Sequence, residues 1–194
     1  DGLTADEAYE MRHTHRVVKQ SDIILLMCLL QDEFTVEQME AAYDFYEPMT
    51  LHYSSLSHNT HSIIASKIGR PDEAYRYFMN AAGLDLDNFR NATDDGLHAA
   101  ALGGTWQTIA YGFLGMRLTP DGIAFEPRLP EAWRTLEMKV IYRAFILDLH
   151  ADHEALRIEV TGTSGIGHPR LLVREEEYQL EHGLSVEVAP MGSV

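Results

Sequence analysis

Gly112-Phe113-Leu114-Gly115-Met116-Arg117-Leu118-Thr119-Pro120-Asp121-Gly122-Ile123-Ala124-Phe125 is the stretch at which the chain changes its hydrophobic period. Before it, apolar residues recur at helical spacing. Beyond Met116 they alternate, and Thr119-Pro120-Asp121-Gly122 has the composition of a tight turn. The chain therefore reads as mainly α followed by β, with helices over residues 1–115 and a small antiparallel β-sheet domain over 116–194.

Working upstream, helix starts are marked by residues that satisfy free backbone N–H groups. Thr4 with Glu7 and Thr35 with Gln38 both have capping-box spacing, which predicts helices from Ala5 to about Val17 and from Val36 to Tyr46, the second closed by Pro48. Between them Ile23-Ile24-Leu25-Leu26-Met27-Cys28-Leu29-Leu30 is continuously apolar and predicts a helix buried on most sides, with Cys28 inside. Ser55 or Ser57 is positioned to cap a helix running to Ile68, with Gly69 at its end and Pro71 in the first turn of the next. A polar loop over Asp87–Asp95 leads to a small-residue helix from Gly96 to about Phe113, in which Gly103-Gly104 reads as close packing and Trp106 as core. Helices joined by such short links fit a bundle or an α/α toroid. Downstream, strands are predicted at 136–142, 145–150, 156–160, 171–173 and 184–188.

Composition limits the function. Fifteen basic residues against thirty acidic ones give a net charge of −15, which repels a polyanion, so nucleic acid is excluded as a partner. A small anion is still admissible, because backbone N–H groups at a helix start can hold one in an acidic protein. The apolar run at 23–30 is too short to span a membrane, and no basic stretch leads into an apolar one as in a signal peptide, so a cytoplasmic protein without membrane partners is expected. The single cysteine rules out an intrachain disulfide. The histidines show no metal spacing: His13 and His15 are two apart, His58 and His61 three apart, with no His-Glu-x-x-His unit. No metal and no cofactor are expected.

Three polar places stand out. Leu51-His52-Tyr53-Ser54-Ser55-Leu56-Ser57-His58-Asn59 gathers hydroxyls and imidazoles at a helix start, more than a cap requires. Asn91-Ala92-Thr93-Asp94-Asp95-Gly96-Leu97-His98 brings His98 to the first turn of another helix. Lys19-Gln20 precedes the apolar run. In a toroid, inner helices present equivalent ends to one side, so these places can converge on one pocket.

Segments in this order resemble the C-terminal part of glycoside hydrolase family 65, the inverting α-glucoside phosphorylases. They are Val18-Lys19-Gln20-Ser21-Asp22, Phe45-Tyr46-Glu47-Pro48-Met49-Thr50, Ser54-Ser55-Leu56-Ser57, Ala74-Tyr75-Arg76-Tyr77-Phe78, Leu84-Asp85-Leu86-Asp87, Asp95-Gly96-Leu97-His98, Gly103-Gly104-Thr105-Trp106, Leu129-Pro130-Glu131-Ala132-Trp133 and Tyr142-Arg143. The resemblance implies that the helices belong to an (α/α)6 catalytic barrel and the strands to a small C-terminal sheet domain. It implies phosphorolysis of an α-linked glucose disaccharide to β-glucose 1-phosphate, with inorganic phosphate as co-substrate. Carried onto this chain, Ser54, Ser55 and His98 would bind phosphate, and Lys19 and Gln20 the glucosyl unit. The family's general-acid glutamate has no counterpart here, so no catalytic acid is assigned and the fragment alone is expected to be inactive.

Two departures from the family pattern are Tyr53, where a small polar or acidic residue is common and which bears on the pocket edge, and Ala144, which replaces a glycine and is expected to adjust a strand. Part of a barrel exposes apolar surface, so the chain is expected beside the N-terminal part of its enzyme, and the intact form as a homo-oligomer. Two alternatives remain at this point: a hydrolase of the same fold using Asp94 or Asp95 as base, and a non-catalytic sugar-binding or interaction module.

Overall fold

The computed structural model describes residues 7, 10–11, 15–87, 96–162 and 167–189, and it divides into two compact units, Asp1–Gly112 and Phe113–Val194. In the first unit the helices are α1 (Asp22–Leu29), α2 (Val36–Tyr46), α3 (Ser57–Lys67), α4 (Pro71–Ala82) and α5 (Ala99–Gln107), with a π-helical continuation over Thr108–Phe113. The expected first helix over 5–17 and its cap at Thr4 fall largely outside the described residues, of which Glu7, Glu10 and Met11 are helical.

The helix starts follow the capping logic in part. At α2 the capping box is complete, since Gln38 N donates to Thr35 Oγ1 at 3.2 Å and Thr35 N to Gln38 Oε1 at 2.9 Å. Pro71 occupies the first turn of α4, and Gly69 takes φ 79°, the left-handed value expected after a helix end. The cap of α3 differs from expectation. Leu56 is its N-cap residue and Ser57 its first residue, while Ser54 Oγ accepts from Leu56 N at 3.3 Å, so neither Ser55 nor Ser57 caps the helix. The small-residue helix also starts later than expected, at Ala99, with His98 as N-cap.

α3 is the centre of this unit, packed against α1, α2, α4 and α5, and every residue from Ser57 to Ser66 except Thr60 is buried. Its side chains are largely polar, so burial demands partners. Ser62 Oγ donates to Ala74 O at 2.6 Å, Ser66 Oγ to Gly112 O at 3.0 Å and Asn59 Nδ2 to Ala101 O at 3.2 Å. Gly104 permits the last contact: a Cβ there would lie 2.3 Å from Asn59 Nδ2.

α1 departs from its hydropathy. Only Ile24 and Met27 are buried, while Leu25, Leu26, Leu29 and Leu30 are exposed, because α2 and α3 cover a single face of it among the described residues. Cys28 is half-buried rather than enclosed; its thiol donates to Thr60 O at 3.4 Å, and desolvation pushes its titration up. Trp106, expected in the core, is 50% exposed and meets Tyr111 edge to face.

The second unit has eight strands in two four-stranded sheets, ordered β1-β2-β6-β7 and β3-β4-β5-β8. They are β1 (Arg117–Leu118), β2 (Gly122–Phe125), β3 (Thr135–Tyr142), β4 (Phe145–Asp152), β5 (Leu156–Gly162), β6 (Arg170–Val173), β7 (Glu176–Gln179) and β8 (Ser185–Val188). Along β4, alternate residues Phe145, Leu147, Leu149 and Ala151 are buried, the two-residue period read from the sequence. One pairing corrects the all-antiparallel expectation: β2 and β6 are parallel, with Ile123 opposite Leu171. β3, β4 and β5 form the other sheet before the chain returns, and such a crossover allows strands to run the same way. Arg143 and Ala144 link β3 to β4 with φ 47° and 69°, the left-handed pair of a two-residue hairpin. Ala144 therefore lies in a turn and not in a strand, and a β-carbon in that conformation costs about 1 kcal/mol relative to glycine.

Gly103 and Gly104 separate helix propensity from packing. Gly103→Ala has nothing within 4 Å of the new Cβ and should gain about 1 kcal/mol in chemical denaturation. Gly104→Ala should lose about 1–3 kcal/mol as Asn59 is displaced. Equal stabilisation by both would contradict the Asn59 contact.

Candidate functional site

The Lys19–Gln20 segment is tied to the loop before α3 through the backbone. Val18 and Thr50 form a parallel bridge, with Val18 N donating to Met49 O at 2.9 Å and Leu51 N to Val18 O at 3.0 Å. This sets Gln20 beside Ser54, whose hydroxyl donates to Gln20 Oε1 at 2.9 Å. Two of the five residues singled out from the sequence are thus in direct contact. Lys19 is exposed and Ser55 half-buried, and neither side chain makes a hydrogen bond to a described residue. Tyr53, beside them, is 44% exposed.

His98 is held by Asp85, a residue of the family-like segment Leu84-Asp85-Leu86-Asp87. One Asp85 oxygen accepts from the His98 backbone N at 2.9 Å, and the other meets His98 Nδ1 at 2.6 Å. A carboxylate can only accept, so Nδ1 carries the proton and Nε2 is left for a ligand. The side-chain bond and then the backbone bond hold the Asp85 carboxyl below its ordinary 3.8.

His98 does not touch Ser54, Ser55 or Lys19 in the structure. What relates them is the direction of the helices. Asn59, near the start of α3, bonds Ala101 near the start of α5, and Ser66, near the end of α3, bonds Gly112 just beyond α5. The two helices therefore run the same way, with their N-terminal ends, His98 and the Ser54–Ser55 loop, at one end of the unit.

Beneath that loop lies a cluster that sequence inspection did not assemble. His52, at φ 50°, stacks on His58 with ring centroids 5.3 Å apart and meets His61 edge-on at 4.5 Å. Tyr77 OH donates to Glu47 Oε1 at 2.5 Å and lies 3.0 Å from His52 Nε2. Burial, and then the bond to Glu47, push the Tyr77 hydroxyl up. His61 Nδ1 is 2.8 Å from Ser57 O, and desolvation holds its imidazole below 6.5. The residues come from the α2–α3 connection, α3 and α4, and their common signal was the family-like segments at Glu47 and Tyr77, which carry no local motif.

Asp94 and Asp95, the candidate hydrolytic bases, lie outside the described residues. Among the described residues no group of three His, Cys, Asp or Glu side chains could hold a metal ion, and no helix is long and apolar enough to cross a membrane.

Comparison with known proteins gives this geometry its context. Residues 2–107 match the glycosyl hydrolase family 65 central catalytic domain, and residues 116–180 match the C-terminal domain of that family. The α,α-trehalose phosphorylase of Thermoanaerobacter brockii is 44% identical over 131 residues, covering 68% of this chain and 17% of that protein. The kojibiose phosphorylase of the same organism is 34% identical over 167 residues, covering 86% and 21%. The maltose phosphorylase of Bacillus subtilis is 35% identical over 143 residues, covering 74% and 19%. A solved structure assigned as a kojibiose phosphorylase, from the human microbiome, superposes with a TM-score of 0.80 at 33% identity, covering 89% of this chain and 23% of that one. The chain spans about a fifth of the length of these curated relatives.

The Asp85–His98 pair is open to direct titration. Its contribution to stability is full above pH 3.8 and fades as the pH falls below that value, because the folded carboxyl is the more acidic one. In His98→Ala the side-chain donor is lost and the backbone N–H stays. Carboxyl-carbon NMR should then show Asp85 titrating closer to 3.8 than in the parent protein, and an unchanged midpoint would mean that the pair does not form.

Proposed function

The chain belongs to glycosyl hydrolase family 65, and from that premise we propose that it is the C-terminal part of an inverting α-glucoside phosphorylase. The intact enzyme cleaves an α-linked glucose disaccharide with inorganic phosphate and releases β-glucose 1-phosphate. The helices over residues 1–115 are the last of an (α/α)6 catalytic barrel, and residues 116–194 form its C-terminal sheet domain. The remainder of the barrel packs against these helices, a reading supported by the exposed apolar residues Leu25, Leu26, Leu29 and Leu30 of α1.

In this reading Ser54, Ser55 and His98 bind phosphate, while Lys19 and Gln20 hold the glucosyl unit. The observation that carries it is the 2.9 Å hydrogen bond between Ser54 and Gln20, which joins a phosphate ligand to a sugar ligand where nucleophile and anomeric carbon have to meet. On phosphate binding the single Ser54 proton turns from Gln20 Oε1 to the anion, and with the Ser55 hydroxyl and the Nε2–H of His98 it donates there without a cluster of cations, which suits a chain of net charge −15.

The chemistry is a single displacement. A carboxylic acid upstream of this chain protonates the glycosidic oxygen, and the bond from that oxygen to the anomeric carbon breaks. A phosphate oxygen attacks the anomeric carbon from the opposite face, so the α-linkage becomes a β-phosphate ester and the leaving sugar departs with the proton. Phosphate replaces the base-activated water of an inverting hydrolase, so this chain supplies anion-binding donors and no base.

The full-length enzyme, given trehalose, kojibiose and maltose in turn, should consume one of them only when phosphate is present and yield β-glucose 1-phosphate. Ser54→Ala should raise KM for phosphate about tenfold, the loss expected for one hydrogen bond to a charged ligand. Disaccharide loss at the same rate without phosphate, with free β-glucose as product, would establish the hydrolase instead.

A further inference from the structure

Ser54 is fixed from below as well as from Gln20. Its carbonyl accepts from Ser57 N at 3.3 Å and from Ser57 Oγ at 3.0 Å. Ser57 Oγ is 3.2 Å from His52 Nδ1, His52 Nε2 is 3.0 Å from Tyr77 OH, and Tyr77 OH donates to Glu47 Oε1 at 2.5 Å. A line of hydrogen bonds thus runs from a carboxylate at the end of α2, through α4 and the loop, to the backbone of Ser54.

Counting protons gives the line a direction. Tyr77 has one hydroxyl proton, and the Glu47 carboxylate takes it, so His52 Nε2 must bring its own proton to Tyr77. Ser57 also has one, committed to the Ser54 carbonyl, so His52 Nδ1 must likewise donate. All the bonds coexist only when both ring nitrogens donate, an imidazolium balanced across Tyr77 by Glu47. If Nδ1 is bare, the Ser57 proton turns towards it and the Ser54 carbonyl keeps only the backbone donor. Among the described residues the titratable rings that meet His52 are His58 and His61 of α3 and Tyr77 of α4; behind them Tyr43 of α2 meets His61, Glu47 at the end of α2 bonds Tyr77, and Arg76 lies over the Tyr77 ring at 4.9 Å.

Backbone conformation points the same way. His52 sits at φ 50°, a left-handed value that a residue with a β-carbon keeps only where its surroundings hold it. The rings of His58, His61 and Tyr77 supply that hold, with centroids 4.5–5.3 Å from His52. Two residues later the chain presents Ser54 and Ser55.

We propose that His52, held by Tyr77 and Glu47, is a positioning residue that fixes the Ser54–Ser55 loop in its anion-binding shape. The inference rests on the reading of that loop as part of the phosphate site. It assigns the Glu47–Tyr77–His52–Ser57 line to phosphate binding and gives it no contact with the reacting atoms.

The test measures KM for phosphate and for the disaccharide separately in the full-length enzyme carrying Ser54→Ala, Tyr77→Phe, Glu47→Gln, Glu47→Ala or His52→Ala. Tyr77→Phe keeps the buried ring and removes only the hydroxyl, so it reports even if His52→Ala does not fold. It should raise KM for phosphate about fivefold, as for one lost hydrogen bond, and leave KM for the disaccharide within about twofold. Glu47→Gln, which still accepts from Tyr77, should retain more phosphate affinity than Glu47→Ala. If Ser54→Ala raises KM for phosphate while Tyr77→Phe leaves it unchanged, or raises both KM values alike, the positioning role is overturned and the phosphate site stands. If Ser54→Ala itself leaves KM for phosphate unchanged, the phosphate reading of the loop fails, and this inference with it.

Discussion

Among the described residues the most deeply buried helix of the first unit, α3, is a polar one, and the need to satisfy its hydroxyls and amide constrains the elements that pack on it. α3 carries Ser57, His58, Asn59, His61, Ser62 and Ser66 into the interior. A buried hydroxyl or amide without a partner costs about 1–3 kcal/mol, so the elements that meet these side chains must offer a backbone carbonyl at a particular height along the helix. α4 offers Ala74 O to Ser62, α5 offers Ala101 O to Asn59, and the chain beyond α5 offers Gly112 O to Ser66. Apolar packing tolerates sliding and hydrogen bonds of this kind do not. The register of α5 against α3 follows from them, and with it the position of His98 at the same end of the unit as Ser54.

In the proposed reading, that arrangement lets so acidic a chain offer an anion site. At the α3 start the Ser54 hydroxyl bonds Gln20, and the Ser54 carbonyl is held by the His52 line through Ser57. His98 is paired with the Asp85 carboxylate, which orients its ring. Asp85 stands behind His98, and Glu47 stands behind Tyr77 and His52.

Much of the architecture is legible in the sequence because its signals are local. Thr35 and Gln38 announce α2 through their reciprocal bonds, Pro71 opens α4, and the alternation of Phe145, Leu147 and Leu149 marks β4. What the sequence hides is non-local. The apolar run at 23–30 implies burial all round, but burial depends on how many neighbours arrive, and only one face of α1 is covered among the described residues. The parallel pairing of β2 with β6 has no signature in either strand. Trp106 reads as core from residue type alone and faces outward because Gly104, two positions away, is the side that meets α3. Lys19, Gln20, Ser54, Ser55 and His98 are marked by the family-like order of segments, whereas the contacts of Asp85, Glu47 and Tyr77 have no local signature. Each lies 13 to 30 residues from its partner, and no spacing rule reaches that far.

The central claim is that the α3 start and His98 hold one anion together with a sugar contact at Gln20. A crystal structure of the full-length enzyme soaked with phosphate and glucose tests it most directly. The account predicts phosphate oxygens within hydrogen-bonding distance of Ser54, Ser55 and His98 Nε2, and glucose against Lys19 and Gln20. Phosphate bound elsewhere, or a sugar occupying the Ser54–Ser55 loop with no anion beside His98, would contradict it.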